Sequence, residues 1–123
     1  MKNPTEESPV VTRSDIERGL VELGLERGDL IFVHSSLSSF GKVQGGAETV
    51  ITALTSVLGP EGTLAMPSFP AFVGGEYGLV HENGLVFDVR SSPSAMGIIT
   101  DTFWRMEGVR RSIHPTHPVA AWG

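Results

Sequence analysis

Three short stretches hold the side chains best equipped for chemistry. The first is His34-Ser35-Ser36-Leu37-Ser38-Ser39, an imidazole and four hydroxyls directly after the apolar run Leu30-Ile31-Phe32-Val33. Hydroxyls and open backbone amides in such a turn can hold a phosphate, helped by the amino end of a following helix. Gly45-Gly46 would let that helix come close to a pyrophosphate. The same composition also suits a plain serine-rich turn with His34 bonded to a neighbour. Neither glycine-rich nucleotide fingerprint, G-x-G-x-x-G or G-x-x-x-x-G-K-S/T, occurs.

The second stretch crowds Arg105, Arg110, Arg111, His114 and His117 together, with Glu107 as the one acid among them. Adjacent arginines can grip phosphate oxygens through paired hydrogen bonds, although cations also collect at solvated helix ends. The third, His114-Pro115-Thr116-His117, overlaps it. Together with His34 these histidines raise a metal-dependent hydrolase as an alternative. Pro115 and Pro118, however, stop a helix from presenting both rings on one face, and an extended segment entering a strand fits better. A Ser-His-Asp arrangement could draw on Ser35 or Ser36, His117, and Asp88 or Asp101, yet no G-x-S-x-G elbow exposes a serine.

These stretches need elements to position them. Leu30–Val33 reads as a strand buried on both faces, and Thr63-Leu64-Ala65-Met66 as a second strand. Val50, Ile51, Leu54, Val57 and Leu58 repeat at helical spacing between them, and Gly59-Pro60 ends the run. Strand–helix–strand order predicts an α/β fold, an αβα layering around a mostly parallel sheet. In such sheets ligands gather at the carboxyl ends of strands, where His34–Ser39 falls. Upstream, Ser14-Asp15-Ile16-Glu17 matches a capping box, and Gly24 or Gly28 can end its helix. Ser68–Arg90 is a glycine-rich loop without period, and Pro93 can open a third helix capped by Ser92 or Ser94. Residues 1–13 read as a flexible arm and residues 14–123 as part of one domain.

The 123 residues carry a formal charge of −5. That acidity argues against a general nucleic-acid binder, which needs a basic footprint, and suits a polycationic small molecule. Without cysteine there is no disulfide, thiolate nucleophile or cysteine zinc site. No apolar run approaches a bilayer crossing, and the polar start, with Glu6 and Glu7, is no signal peptide. A cytoplasmic protein is expected. The apolar end Ala120-Ala121-Trp122-Gly123 reads as the interior of a longer fold, leaving an open sheet edge that favours self-association.

In order, V-H-S-S-L, G-G-A-x-T-V, G-T-L-x-M-P-S-F, P-S-x-M-G and R-R-S-x-H-P-T-H occupy residues 33–117. This series resembles the aminoglycoside 3-N-acetyltransferase family, over nearly all of Ser14 to Gly123. The resemblance implies acetyl-CoA as donor, with no metal, and as acceptor an amino group on the 2-deoxystreptamine ring of an aminoglycoside. It implies donor contacts from His34, Ser35, Ser36 and Leu37, from Ser94, Met96 and Gly97, and from Arg110, Arg111 and Ser112. Tyr77 would border the acceptor, and the amides at Ser35 and Ser36 would serve as oxyanion donors. Family members are considerably longer and carry their general base in the half beyond the A-A-W-G segment, so the base is expected beyond Gly123. None of His34, His81, His114 and His117 matches its position, and Pro118 stands where relatives commonly have serine. A non-catalytic CoA- or nucleotide-binding fragment is the remaining alternative.

Overall fold

The computed structural model describes residues 9–70, 72–73, 80–81, 87–114 and 117–123. Helix α1 (Arg13–Glu22) begins one residue before the expected cap. Thr12, not Ser14, caps it: the Thr12 hydroxyl accepts from the Asp15 amide, and the Asp15 carboxylate accepts from the Thr12 amide at 2.9 Å. Gly24, at φ +100°, turns the chain out of the helix in the left-handed region that glycine tolerates. The arm expected over residues 1–13 is docked where it is described. Val11 bridges to Val43, donating to the Lys42 carbonyl and accepting from the Gln44 amide.

Strand β1 (Leu30–Phe32), helix α2 (Ala47–Leu58) and strand β2 (Thr63–Pro67) form the expected crossover, and β1 pairs with β2 in parallel. Gly59 leaves α2 at φ +69°. At Gly62 a Cβ would lie 2.8 Å from the Leu58 carbonyl oxygen, so the return into β2 needs glycine there. A separate backbone pairing joins β3 (Phe72–Val73) and β4 (Val80–His81) antiparallel. Helix α3 (Ile98–Phe103) precedes β5 (Arg110–Arg111) and β6 (Val119–Trp122).

The fold is mixed α/β, but the sheet is not mostly parallel. Its order is β1-β2-β6-β5, and both β2–β6 and β6–β5 are antiparallel. For β5 and β6 the reason is connection length. A parallel partner needs a crossover of a dozen or more residues, whereas β5 and β6 are joined by seven (112–118), enough only for an antiparallel return. The helix expected from Pro93 also starts later, at Ile98 after Gly97 (φ +112°). The Ser94 hydroxyl bonds Thr100 at 2.8 Å, and the Ser94 amide donates to Asp101 at 2.9 Å, which shapes residues 93–97 as a loop. Among the described residues, no helix is long and apolar enough to cross a membrane.

Register places Ile31, Leu64, Met66, Ala120 and Trp122 on one sheet face. There Leu64, Met66 and Ala120 join Ile51, Ala53 and Leu58 of α2, Ile99 and Phe103 of α3 and Ile16 of α1 in a single apolar core. Alternation along the strands sends Leu30, Phe32, Ala65 and Val119 to the other face. Leu30 is 75% exposed and Phe32 48%, which corrects the expectation of a strand buried on both sides. Periodicity reports an apolar run but not whether each face has a cover.

The one-sided core has a measurable consequence. Phe103→Ala should lower the unfolding free energy by about 3–5 kcal/mol through lost burial and a residual cavity. Phe32→Ala should cost under about 1 kcal/mol, as expected for a surface position. Urea titrations of both variants check this; a comparable loss at Phe32 would mean that the outer face is covered.

Candidate functional site

Strand direction brings most of the singled-out residues to one end of the sheet. β1 and β2 run together, and β5 is antiparallel to β6, which is antiparallel to β2. The chain therefore leaves β1, β2 and β5 at the same edge, with His34–Ser39, Ser68–Phe69 and Ser112–His114 following. Residues 92–97 join them there because the Ala95 amide donates to the Phe69 carbonyl at 2.8 Å. From β1 to β5 this edge spans three strand spacings, about 14 Å.

Below the first turn lies a groove of about 1210 Å³. Ile16 and Leu20 of α1, Ile31 and Val33 of the first strand segment, and Val50 and Leu54 of α2 wall it. His34, Ser35 and Ser36 stand at its rim, together with Asp15 and Asp29, and its lining includes no Lys or Arg. Among the described residues the Ser35 hydroxyl oxygen is buried without a hydrogen-bond partner, an arrangement that costs about 1–3 kcal/mol unless a ligand or water completes it. Ser36 and Ser38 hydroxyls meet at 3.0 Å, and His34 packs edge-on against Phe32 with ring centres 5.0 Å apart. Leu37 opens a 3-10 turn (Leu37–Phe40). Among the described residues nothing accepts from the Ser35 and Ser36 amides, which remain open donors.

Opposite, the two adjacent arginines do not act as a pair. Alternation in β5 puts Arg111 on the helix-covered face beside Ala120 and Arg110 on the bare face beside Ala121. Arg111 donates to the carbonyls of Ser92 and, at 2.9 Å, Ser68. Its guanidinium also lies 4.6 Å from the Phe87 ring centre and 4.2 Å from that of Trp104. Burial pushes its pKa down to about 10, so it stays charged at neutral pH. Arg110 is exposed, and no hydrogen bond or ion pair engages it among the described residues.

The remaining candidates divide by how their polar atoms are occupied. Ser94 is 8% exposed and bonded to Thr100. The Ser112 hydroxyl accepts from the Val119 amide at 2.8 Å. Met96 is exposed at the tip of the 92–97 loop, and Gly97 sits at its hinge. His114 Nδ1 accepts from the His117 amide at 2.9 Å, and the His117 ring meets Phe69 at 4.8 Å. Among the described residues no three potential ligands converge as a metal site, so His34, His114 and His117 form no such cluster. Tyr77 lies outside the described residues.

Asp101 is the member that the sequence did not single out as an organiser. Its carboxylate accepts from the Ser94 amide, from Trp104 Nε1 at 2.9 Å and from Arg105 at 3.3 Å. Burial alone would raise its pKa, but the Trp104, Ser94 and Arg105 donors outweigh burial and leave it below the usual value. The Arg90 amide, followed by Ser91, likewise lowers Asp88, whose carboxylate shapes the 88–92 turn. Both acids hold loops, as acceptors, rather than orienting a histidine. The available signal for Asp101 was an acid in the first turn of a helix with a tryptophan three residues on.

The chain matches the family described as aminoglycoside 3-N-acetyltransferase over residues 32–123. It is 36% identical over 126 residues to the SPbeta prophage-derived aminoglycoside N(3')-acetyltransferase-like protein YokD of Bacillus subtilis (strain 168), covering 91% of this chain and 46% of that protein. The YokD crystal structure superposes with a TM-score of 0.82 at 35% identity, over 94% of this chain and 48% of that one. Aminoglycoside N(3)-acetyltransferase IV of Salmonella sp is 41% identical over 98 residues, 78% of this chain and 34% of that protein. A variant of AAC(3)-IVa in complex with a gentamicin superposes with a TM-score of 0.81 at 34% identity, over 96% and 42% of the two chains. AAC-IIIb binary with CoASH superposes with a TM-score of 0.80 at 28% identity, over 94% and 47%. The chain thus spans less than half the length of the relatives it matches.

The Asp101 network sets an acid sensitivity. A carboxylate with a lowered folded pKa stabilises fully above its unfolded value, about 3.9, and loses that contribution as pH falls through the lower folded value. Asp101→Asn should therefore be less stable than the parent at pH 7 and should lose less on acidification from pH 5 to pH 2. Urea midpoints across that window check the sign. Parallel losses in the two proteins would remove Asp101 from the network.

Proposed function

The chain belongs to the aminoglycoside 3-N-acetyltransferase family, and on that premise we propose that it forms the donor-binding part of an acetyl transfer. Acetyl-CoA gives its acetyl group to an amino group of a 2-deoxystreptamine aminoglycoside. The observation that carries this reading is the His34–Ser36 turn, with open amides and the buried, unpartnered Ser35 hydroxyl at the mouth of an apolar groove. Its supports from related proteins are the CoASH bound to AAC-IIIb and the gentamicin bound to the AAC(3)-IVa variant.

The chemistry of the groove fits one part of the donor. Apolar walls and a hydroxyl that needs a partner suit the pantetheine arm, whose amides can supply an acceptor. The acidic rim, without Lys or Arg, does not suit phosphates, which are left to cations outside the groove. Arg110 is exposed at the same end of the sheet. Met96 and Gly97 border the donor from the 92–97 loop, and Ser94 and Ser112 shape their own segments.

In the transfer, the amine lone pair attacks the thioester carbonyl carbon and the C–S bond then breaks, releasing CoA thiol. The Ser35 and Ser36 amides stabilise the charge that develops on the carbonyl oxygen. The amine proton needs a positioned base. We assign that base to the portion of the relatives that this chain does not span. The acidic surface favours a polycationic acceptor, and the reading places the protein in the cytoplasm, where acetyl-CoA is available.

Calorimetric titration with CoA, and thiol release from acetyl-CoA with a gentamicin-class acceptor, test the reading. CoA should bind, and Ser35→Ala should weaken it about 2- to 12-fold, the net worth of one hydrogen bond. Turnover should be far slower than that of a full-length relative. No heat at millimolar CoA would reject the donor site, and turnover matching a full-length relative would reject the placement of the base.

A further inference from the structure

We propose that Arg111 is a positioning residue that locks the loops of the donor end together, and that of the two adjacent arginines only Arg110 is open to an anionic ligand. The ligand side of this inference rests on the donor-site reading; the locking does not. The two terminal nitrogens and the ring-stacked plane of Arg111 are already committed, while its Nε is buried without a hydrogen-bond partner among the described residues. Its two terminal nitrogens donate to the Ser92 and Ser68 carbonyls, which belong to the loop before α3 and to the exit from β2. Its plane stacks with Phe87 and Trp104, and Trp104 is itself tied to Asp101 and faced by Arg105 at 4.4 Å.

Two segments distant in sequence, the exit from β2 and residues 87–92, are thus pinned to strand β5 by one guanidinium. Through Ser68 it fixes Phe69, whose carbonyl takes the Ala95 amide and whose ring meets His117. Through Ser92 it fixes the base of the loop that carries Met96. Ser68 is 0% exposed, so its carbonyl has no water to replace the lost donor if Arg111 is removed. Lysine cannot stand in. A planar fork that stacks on two rings and bonds two carbonyls has no counterpart in a compact ammonium. A phosphate ligand, in contrast, would keep much of its attraction to lysine, because lysine also binds phosphate as a point charge.

That difference gives the test. Arg111→Lys, Arg111→Gln and Arg110→Gln are compared by amide hydrogen exchange in the ligand-free protein and by CoA titration at low and high salt. Both Arg111 variants should speed exchange at least tenfold at the Ser68 and Ala95 amides. Arg110→Gln should leave exchange unchanged but weaken CoA and flatten its salt dependence. In Arg111→Lys, CoA should bind several-fold more weakly with the parent's salt dependence. If Arg111→Gln fails to fold, Phe87→Leu, which removes one stacking face, should give a smaller increase in the same exchange rates. Wild-type exchange and CoA affinity in Arg111→Lys, with lost salt dependence in Arg111→Gln, would make Arg111 a direct phosphate ligand and overturn the proposal. Absence of CoA binding in the parent would overturn the donor-site reading alone, and the exchange data would still decide the locking.

Discussion

Helix α2 lying across strand β2 is the contact on which the rest of the molecule depends. α2 packs against α1 on one side and α3 on the other, and Ile51, Ala53 and Leu58 are sealed between them and Leu64 and Met66. The same helix is the crossover that makes β1 and β2 parallel. Core closure and alignment of two strand ends therefore come from one element. If α2 shifted along the sheet, the His34–Ser39 turn would lose its place beside the groove, whose floor includes Val50 and Leu54.

The part of the fold that is legible in sequence is the part built from local periods. Val50, Ile51, Leu54 and Leu58 announce α2, glycine ends two helices, and the flanking apolar runs are strands. What escapes is set by partners distant in the chain. Nothing within Val109–Gly123 says that Arg110–Arg111 returns against Ala120–Ala121, and that return makes the sheet mostly antiparallel. Leu30–Val33 has the composition of a doubly covered strand because composition cannot report a missing layer. At Pro93 a helix start was permitted by local chemistry, but the Ser94–Thr100 and Ser94–Asp101 bonds select a loop.

The candidate site shows the same division at the scale of single atoms. Residue type drew attention to segments that fall at one end of the sheet, those of His34, Ser35, Met96, Arg111 and His117. It did not reveal which polar groups are already occupied. Ser94 and Ser112 have the hydroxyls a donor contact needs, yet each bonds its own backbone or a neighbour. Arg110 and Arg111 look like one clamp when written side by side, and the two-residue period of a strand points them to opposite faces. Asp101 carries no motif, since its importance lies in three donors that only the folded loop brings together.

Subtracting the occupied groups leaves a coherent set. Open amides at Ser35 and Ser36, an unpartnered hydroxyl, apolar groove walls and one exposed arginine can bind, orient and neutralise. They cannot take up a proton at neutral pH. An acyl transfer to an amine needs both kinds of group, and needs them on opposite sides of the thioester carbonyl: the oxyanion donors behind the oxygen, the base behind the attacking nitrogen. On the proposed reading, this scaffold supplies the first kind of group, and the base approaches with the acceptor from the side of the carbonyl that the Ser35–Ser36 turn does not occupy.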